Sequence, residues 1–322
     1  MAEHFLVTGA LGCLGAWIVR NLVAEGVAVT AFDLGDDPHR LRLIMTPDEV
    51  ARAQFVNGDV TDAGALEATI QERGVTGIIH LAALQVPSCK ANPALGARVN
   101  VVGTTNVFEA AHKTGLQRVV YASSVAVYGL REEYADLIQH HDPLRPRTLY
   151  GVYKQANEAA ARVYYWDHGL SSIGLRPYVI YGPGRDQGMT STPTTAMLAV
   201  AAGQPYHISY GGRCGLQYAG DVARMFIQAV RAPFEGAEVF NIRGSVVDMA
   251  EVVSAIEIAA PAARGTITFA PAPLPFPDGQ DDAPLHALLG EVPHTPLVEG
   301  VAQTIAAFRA ALADGRIAAP TA

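Results

Sequence analysis

His4-Phe5-Leu6-Val7-Thr8-Gly9-Ala10-Leu11-Gly12-Cys13-Leu14-Gly15 is an apolar run that breaks on three glycines spaced TGxxGxxG. The run predicts a buried strand, and the apolar periodicity from Leu14 to Glu25 predicts a helix behind it. Glycines at such a junction permit a tight turn, let the backbone approach a pyrophosphate and let the helix pack closely on the strand. The helix N-terminus then offers free N–H groups and a positive dipole end to phosphate. With 31 glycines in the chain, spacing alone arises by accident. Its place between a strand and a helix is what gives the stretch meaning.

The alternation continues outward from there. Ala28–Leu34, Gln54–Val60, Gly77–Ala82, Arg118–Ser123 and Ser172–Arg176 read as buried strands, and 63–73, 94–114 and 150–168 as helices between them. That order predicts an α/β fold of Rossmann type, a doubly wound parallel sheet with helices on both faces. Residues 1–177 form the dinucleotide-binding domain in this reading, with returning segments near 216–244. After Pro177 the chain turns rich in Gly, Pro and Thr, with a short helix near 194–202, a strand at 239–242, and a helix to Ala260 capped by Asp248. A proline-rich stretch at 270–284 precedes a last helix at 297–312. Segments 178–215 and 245–322 are expected to be a smaller, substrate-binding region.

Asp33 ends the second strand, where an acidic side chain accepts hydrogen bonds from the adenosine ribose and repels a 2′-phosphate. The expected cofactor is therefore NAD; Arg40 and Arg42 are the side chains that would serve NADP instead. Asp59 and Val60, closing the third strand, are placed to flank the adenine.

Tyr150 and Lys154 form a YxxxK pair, which on a helix puts both side chains on one face. A free phenol ionises near pH 10, and a neighbouring ammonium and a positive nicotinamide favour its phenolate. Because the chain holds three lysines and 12 tyrosines, an accidental pair is expected on the order of once in ten such chains. Ser123 and Ser124 end the fifth strand, the end at which open parallel sheets bind ligands, so a hydroxyl there can hold a substrate oxygen.

Half of the 322 residues are apolar, 17% are charged, and the net charge is −8. No basic run suggests nucleic acid, and no apolar run has the length of a membrane span. Cys13, Cys89 and Cys214 lie far apart without metal-ligand spacing, so no metal site is expected and a reducing, cytoplasmic setting fits. The N-terminus enters a strand at once, with no targeting pattern before it.

Together these pieces resemble the extended short-chain dehydrogenase/reductase family, the NAD-dependent sugar epimerases and dehydratases. The matching segments are VTGALGCLG (7–15), GDVTD (58–62), HLAA (80–83), NVVGTTNVFEAA (100–111), ASSVAVYG (122–129), YGVYK (150–154), LRPYVIYGPG (175–184) and GDVA (220–223). The resemblance implies that Tyr150 is the acid/base, that Lys154 lowers its pKa and holds the nicotinamide ribose, and that Ser124 orients the substrate hydroxyl. It places Gly9, Gly12, Leu14, Gly15, Asp33, Asp59, Val60, Ala82 and Asn100 on cofactor positions, with Pro177 and Tyr178 near the nicotinamide. It also implies a homodimer through the 94–114 and 150–168 helices.

Two departures bear on the substrate. Nucleotide-sugar members carry an Asn where this chain has Val179, and an Arg where it has Cys214, both for the substrate's diphosphate. A diphosphate without its charge partner binds poorly. The expected substrate is a free sugar, sugar acid or similar polyol, with Gln85, Ser124, Arg185 and Thr190 as contacts. A nucleotide-sugar 4-epimerase with other diphosphate contacts is the alternative. A non-catalytic NAD(H)-binding regulator is a third reading, opposed by the presence of Tyr150, Lys154 and Ser124 together. Dehydration is disfavoured, because Ser124-Val125 stands where dehydratases place an acidic pair.

Overall fold

A computed structural model describes residues 2–134 and 137–320. The first half runs β1 (His4–Thr8), α1 (Cys13–Ala24), β2 (Ala28–Asp33), α2 (His39–Ile44), α3 (Pro47–Val50), β3 (Gln54–Asn57), α4 (Ala63–Arg73) and β4 (Gly77–His80). Next come α5 (Val86–Ala91), α6 (Pro93–Ala97), a π-helical turn (Arg98–Val102), α7 (Gly103–Lys113), β5 (Arg118–Ala122), α8 (Leu149–His168) and β6 (Ser171–Arg176). The remainder is β7 (Val179–Tyr181), α9 (Thr192–Ala201), β8 (Tyr206–Ile208), β9 (Arg213–Tyr218), α10 (Ala219–Arg231) and β10 (Ala237–Asn241). It ends with β11 (Ser245–Asp248), α11 (Met249–Ala259), β12 (Ile267–Phe269), α12 (Ala283–Leu289) and α13 (Leu297–Ala313).

Seven strands pair in parallel in the order β10-β6-β5-β4-β1-β2-β3. The chain starts in the middle, winds out to β3, then crosses to β4 on the other side of β1. That reversal opens a crevice above the carboxyl ends of β1 and β4, the place where open α/β sheets hold ligands. One apolar core lies on each face. Trp17, Ile18 and Leu22 of α1 pack with Phe226 of α10 on one side; Leu66, Ile70, Val107 and Phe108 of α4 and α7 fill the other.

Three local outcomes differ from the sequence expectation. The third strand stops at Asn57 rather than Val60, because Asp59 turns back to accept a hydrogen bond from Thr61 N–H at 2.8 Å, an Asx turn that ends extended pairing. The predicted helix 94–114 is interrupted by the π-helical turn centred on Asn100. The loop-rich stretch after Pro177 contains three short strands. β9 pairs with β7 on one side and β11 on the other in a second sheet, and β8 pairs with β12. Asp248 stands at the N-cap of α11, its N–H donating to the Glu251 carboxylate at 2.8 Å.

Candidate active site

The glycine turn is built by crowding. Gly9 has φ +68°, and a Cβ there would lie 2.7 Å from the amide nitrogen of Ala82. A Cβ on Gly15 would lie 2.2 Å from the Gly9 carbonyl oxygen. The turn therefore seats α1 directly on the ends of β1 and β4. No side chain caps α1 at Gly12, which leaves its first-turn N–H groups for an anion. Asp33 braces the turn, accepting from Leu11 N–H at 2.9 Å and Gly35 N–H at 3.0 Å; its remaining lone pairs can accept from a ribose.

A cavity of about 650 Å³ runs from this end to the substrate end. Its wall includes Gly9, Gly12, Leu14, Gly15, Asp33, Asp59, Val60 and Ala82, then Ser124, Tyr150, Lys154, Pro177 and Tyr178, and finally Gln85, Arg185 and Thr190. Asn100, expected beside the cofactor, is instead fully buried behind the wall. Its amide accepts from Leu84 N–H at 2.7 Å and donates to Leu84 C=O at 2.9 Å. It fixes the loop after β4 from behind, and the π-helical turn is what aims it there, in line with the functional placement of such turns.

The same loop is held by Thr8 and His80. His80 Nδ1 lies 2.7 Å from the Thr8 hydroxyl and its Nε2 3.0 Å from that of Thr104. Burial, with the Lys154 cation nearby, pushes the His80 pKa down to about 3, so the ring is a neutral strut.

Lys154 is buried, and burial lowers its pKa to about 8. Its ammonium donates to the Ala122 carbonyl at 2.7 Å and stands 5.7 Å from the centre of the Tyr150 ring. Tyr150 keeps part of its surface toward the cavity, yet burial of the phenol raises its pKa above the ordinary value; the Ser124 hydroxyl and Arg185 oppose that rise. The lowering comes from Ser124 and Arg185 rather than from Lys154, whose ammonium is turned to Ala122, and burial outweighs it. Behind both residues, Glu158 accepts from Arg176 Nε at 2.9 Å and Nη2 at 2.7 Å, and also from Ser123. This buried pair joins α8, which carries Tyr150 and Lys154, to the end of β5, just before Ser124, and to the end of β6.

Arg185 donates to Thr190 at 3.0 Å, and its Nε is buried without a partner. Val179 and Cys214 are fully buried and stand outside the cavity wall, while Arg213 is exposed and turned toward Val246. Arg40 and Arg42 are engaged by carboxylates, Arg40 by Asp186 at 2.8 Å and Arg42 by Asp37 at 2.5 Å. Several wall residues carry no signal in the sequence, among them Ile180, Met189 and Phe276. Phe276 comes from the proline-rich stretch and meets Tyr178 edge-on, ring centres 6.1 Å apart. Among the described residues no cluster of metal-ligating side chains forms, and no helix is long and apolar enough to cross a membrane.

The glycine cradle and the free first turn of α1 fit a dinucleotide, and known proteins agree. The profile of the NAD dependent epimerase/dehydratase family matches residues 5–242. A UDP-glucose 4-epimerase of Mycolicibacterium smegmatis is 30% identical over 311 residues, 94% of this chain and 98% of that protein. The structure of a Thermus thermophilus UDP-glucose 4-epimerase in complex with NAD is similar at TM-score 0.81 and 27% identity, covering 96% of this chain and all (100%) of that one. A partial-consensus L-threonine 3-dehydrogenase is similar at TM-score 0.84 and 25% identity, over 96% of this chain and 100% of that one. The chain belongs to the NAD dependent epimerase/dehydratase family, and it is an NAD-dependent enzyme of the epimerase and dehydrogenase type.

Proposed function

We propose that the enzyme acts on a secondary alcohol of a sugar acid or similar polyhydroxy acid that carries no nucleotide. The observation that carries this reading is the contrast at the substrate end. Val179 and Cys214, at the two positions where the family resemblance implies diphosphate contacts, are buried outside the cavity, whereas Arg185 lines it within electrostatic reach of Tyr150. An arginine fork suits a carboxylate. A similar structure is that of an L-threonine 3-dehydrogenase, whose named substrate is itself a hydroxy acid without a nucleotide.

The glycine turn and Asp33 would hold NAD, which would supply the hydride acceptor. Ser124 and Tyr150 grip the substrate hydroxyl between them, and Tyr150 takes its proton as the carbon is oxidised. Lys154 adds positive charge beneath the phenol, which favours phenolate once the phenol must ionise. Glu158 and Arg176 keep these groups in register. Residues 178–215 and 245–322 supply the substrate wall in this reading. Leu149, Val152, Val163 and Trp166 of α8, with Leu95 and Val102, leave apolar side chains exposed along adjoining helices, which supports a homodimer through that face. The three free cysteines fit a cytoplasmic, reducing location.

The test is a substrate panel. Purified enzyme is incubated with NAD⁺ and aldonates, uronates, free sugars or UDP-sugars, following NADH absorbance and product chromatography. Turnover of an aldonate or uronate without UDP is expected. Epimerisation of a UDP-sugar with no reaction of the free acids would establish the rival reading, which the UDP-glucose 4-epimerase relatives represent.

A further inference from the structure

Asp186 follows Arg185 in the loop between β7 and α9, and its carboxylate reaches across the cleft to the segment after β2. It accepts from Arg40 Nε at 3.0 and 3.1 Å and from Nη2 at 2.8 Å, and His39 Nε2 lies 3.3 Å away. The same guanidinium donates through Nη1 to the Leu11 carbonyl, in the glycine turn, at 2.9 Å. A second tie runs beside the first: Trp17 Nε1 of α1 donates to the Pro183 carbonyl at 2.9 Å. Glycine turn, Arg40, Asp186, Pro183 and α1 therefore form a closed circuit of contacts around the dinucleotide end of the cleft. Leu11, His39, Arg40 and Asp186 all line the cavity.

An exposed ion pair contributes little, but this one is neither single nor fully exposed. The Arg40 side chain is 13% exposed, Asp186 45%, and the arginine makes a forked contact together with a backbone bond. The contact joins residues 146 apart in sequence. It leaves Arg40 committed to protein rather than free for a 2′-phosphate.

We propose that Asp186, gripped by Arg40 and His39, is a clasp that retains the bound dinucleotide in the cleft. The proposal goes beyond the substrate assignment and needs only NAD(H) binding, so it stands or fails independently of what is oxidised.

The test is cofactor release without turnover. Enzyme loaded with NADH is mixed in a stopped-flow cell with excess NAD⁺, and loss of bound NADH fluorescence gives the dissociation rate. Asp186→Asn is expected to speed release about tenfold. Release from the native protein should quicken as salt rises, and release from the variant should not, because screening acts on the ion pair. Arg40→Met should act alike, and the double variant should be no faster than the faster single one. Release from Asp186→Asn at the native rate, with Arg40→Met alone faster, would show that Arg40 holds the dinucleotide directly and would overturn the clasp. Additive effects in the double variant would overturn it as well. Should Asp186→Asn fail to fold, His39→Gln and the salt series on the native protein take its place. Faster release in both supports the clasp, and an unchanged rate in both overturns it.

Discussion

At the dinucleotide end the cavity rests on the backbone of the glycine turn. Gly9 and Gly15 are packed so closely against Ala82 and one another that no Cβ fits. At the substrate end the wall is made of side chains, Tyr178, Arg185, Thr190 and Phe276, delivered by separate stretches of chain. The first construction suits a ligand that never changes, since backbone N–H groups and glycine spacing are fixed by the turn itself. The second can be altered one side chain at a time without disturbing the fold, which is how one scaffold hosts many substrates. Between the two stand Ser124, Tyr150 and Lys154, locked by the Glu158–Arg176 pair.

The largest effect is expected at that junction. Tyr150→Phe should lower turnover about 10³-fold while NADH affinity, read by fluorescence titration, is unchanged; retained turnover would remove Tyr150 from the chemistry. Next, Gly15→Ala tests whether the dinucleotide end is truly backbone-limited. Its Cβ must displace the Gly9 carbonyl, at a cost of about 3 kcal/mol, so a fall in Tm and loss of NADH binding are expected. A variant that binds NADH normally would show that the turn has slack.

Arg185→Met probes the side-chain end. Losing a charge-assisted contact should raise KM for an acidic substrate about 30-fold with NADH binding intact, and steady-state kinetics on the preferred acid decides it. An unchanged KM would move the carboxylate elsewhere.

The smallest effect on turnover is expected at His80, whose contribution is to acid stability. The folded ring stays neutral down to about pH 3, whereas an unfolded histidine takes a proton near 6.5. The unfolded chain then binds more protons, so this contribution to stability is complete above pH 6.5 and is lost as pH falls toward 3. Its slope is about 1.4 kcal/mol per pH unit. Denaturant melts from pH 7 to 4 should show a shallower acid loss in His80→Gln; parallel curves would mean that His80 already titrates in the fold.

How much of the molecule is legible in its sequence follows the same division. β1, the glycine turn, α1 and Asp33 are close neighbours in the chain, and each is marked by residue type: apolar run, glycine, helical period, carboxylate. Tyr150 and Lys154 are one helical turn apart, so their sharing a face needs no tertiary information. Asn100 is placed on a cofactor position by the family resemblance alone; the π-helical turn that directs its amide to Leu84 lies in a segment that reads as one continuous helix. β7, of three residues, is too short to show alternation, and its pairing with β9 joins remote parts of the chain. Phe276 sits among prolines that mark a loop but say nothing of where the loop lies. Its place depends on remote bridges, Ile138 to Gln280 and Gly211 to Pro273.

The sequence by itself determined the fold class, the NAD turn and the YxxxK pair, because each rests on contacts between near neighbours whose geometry a helix or strand dictates. Only the tertiary structure decided that Val179 and Cys214 are withdrawn from the cavity, that Lys154 is turned to Ala122, and that Asp186 reaches Arg40. Those outcomes depend on which distant segments share a wall, and burial and charge there are properties of the assembled cleft.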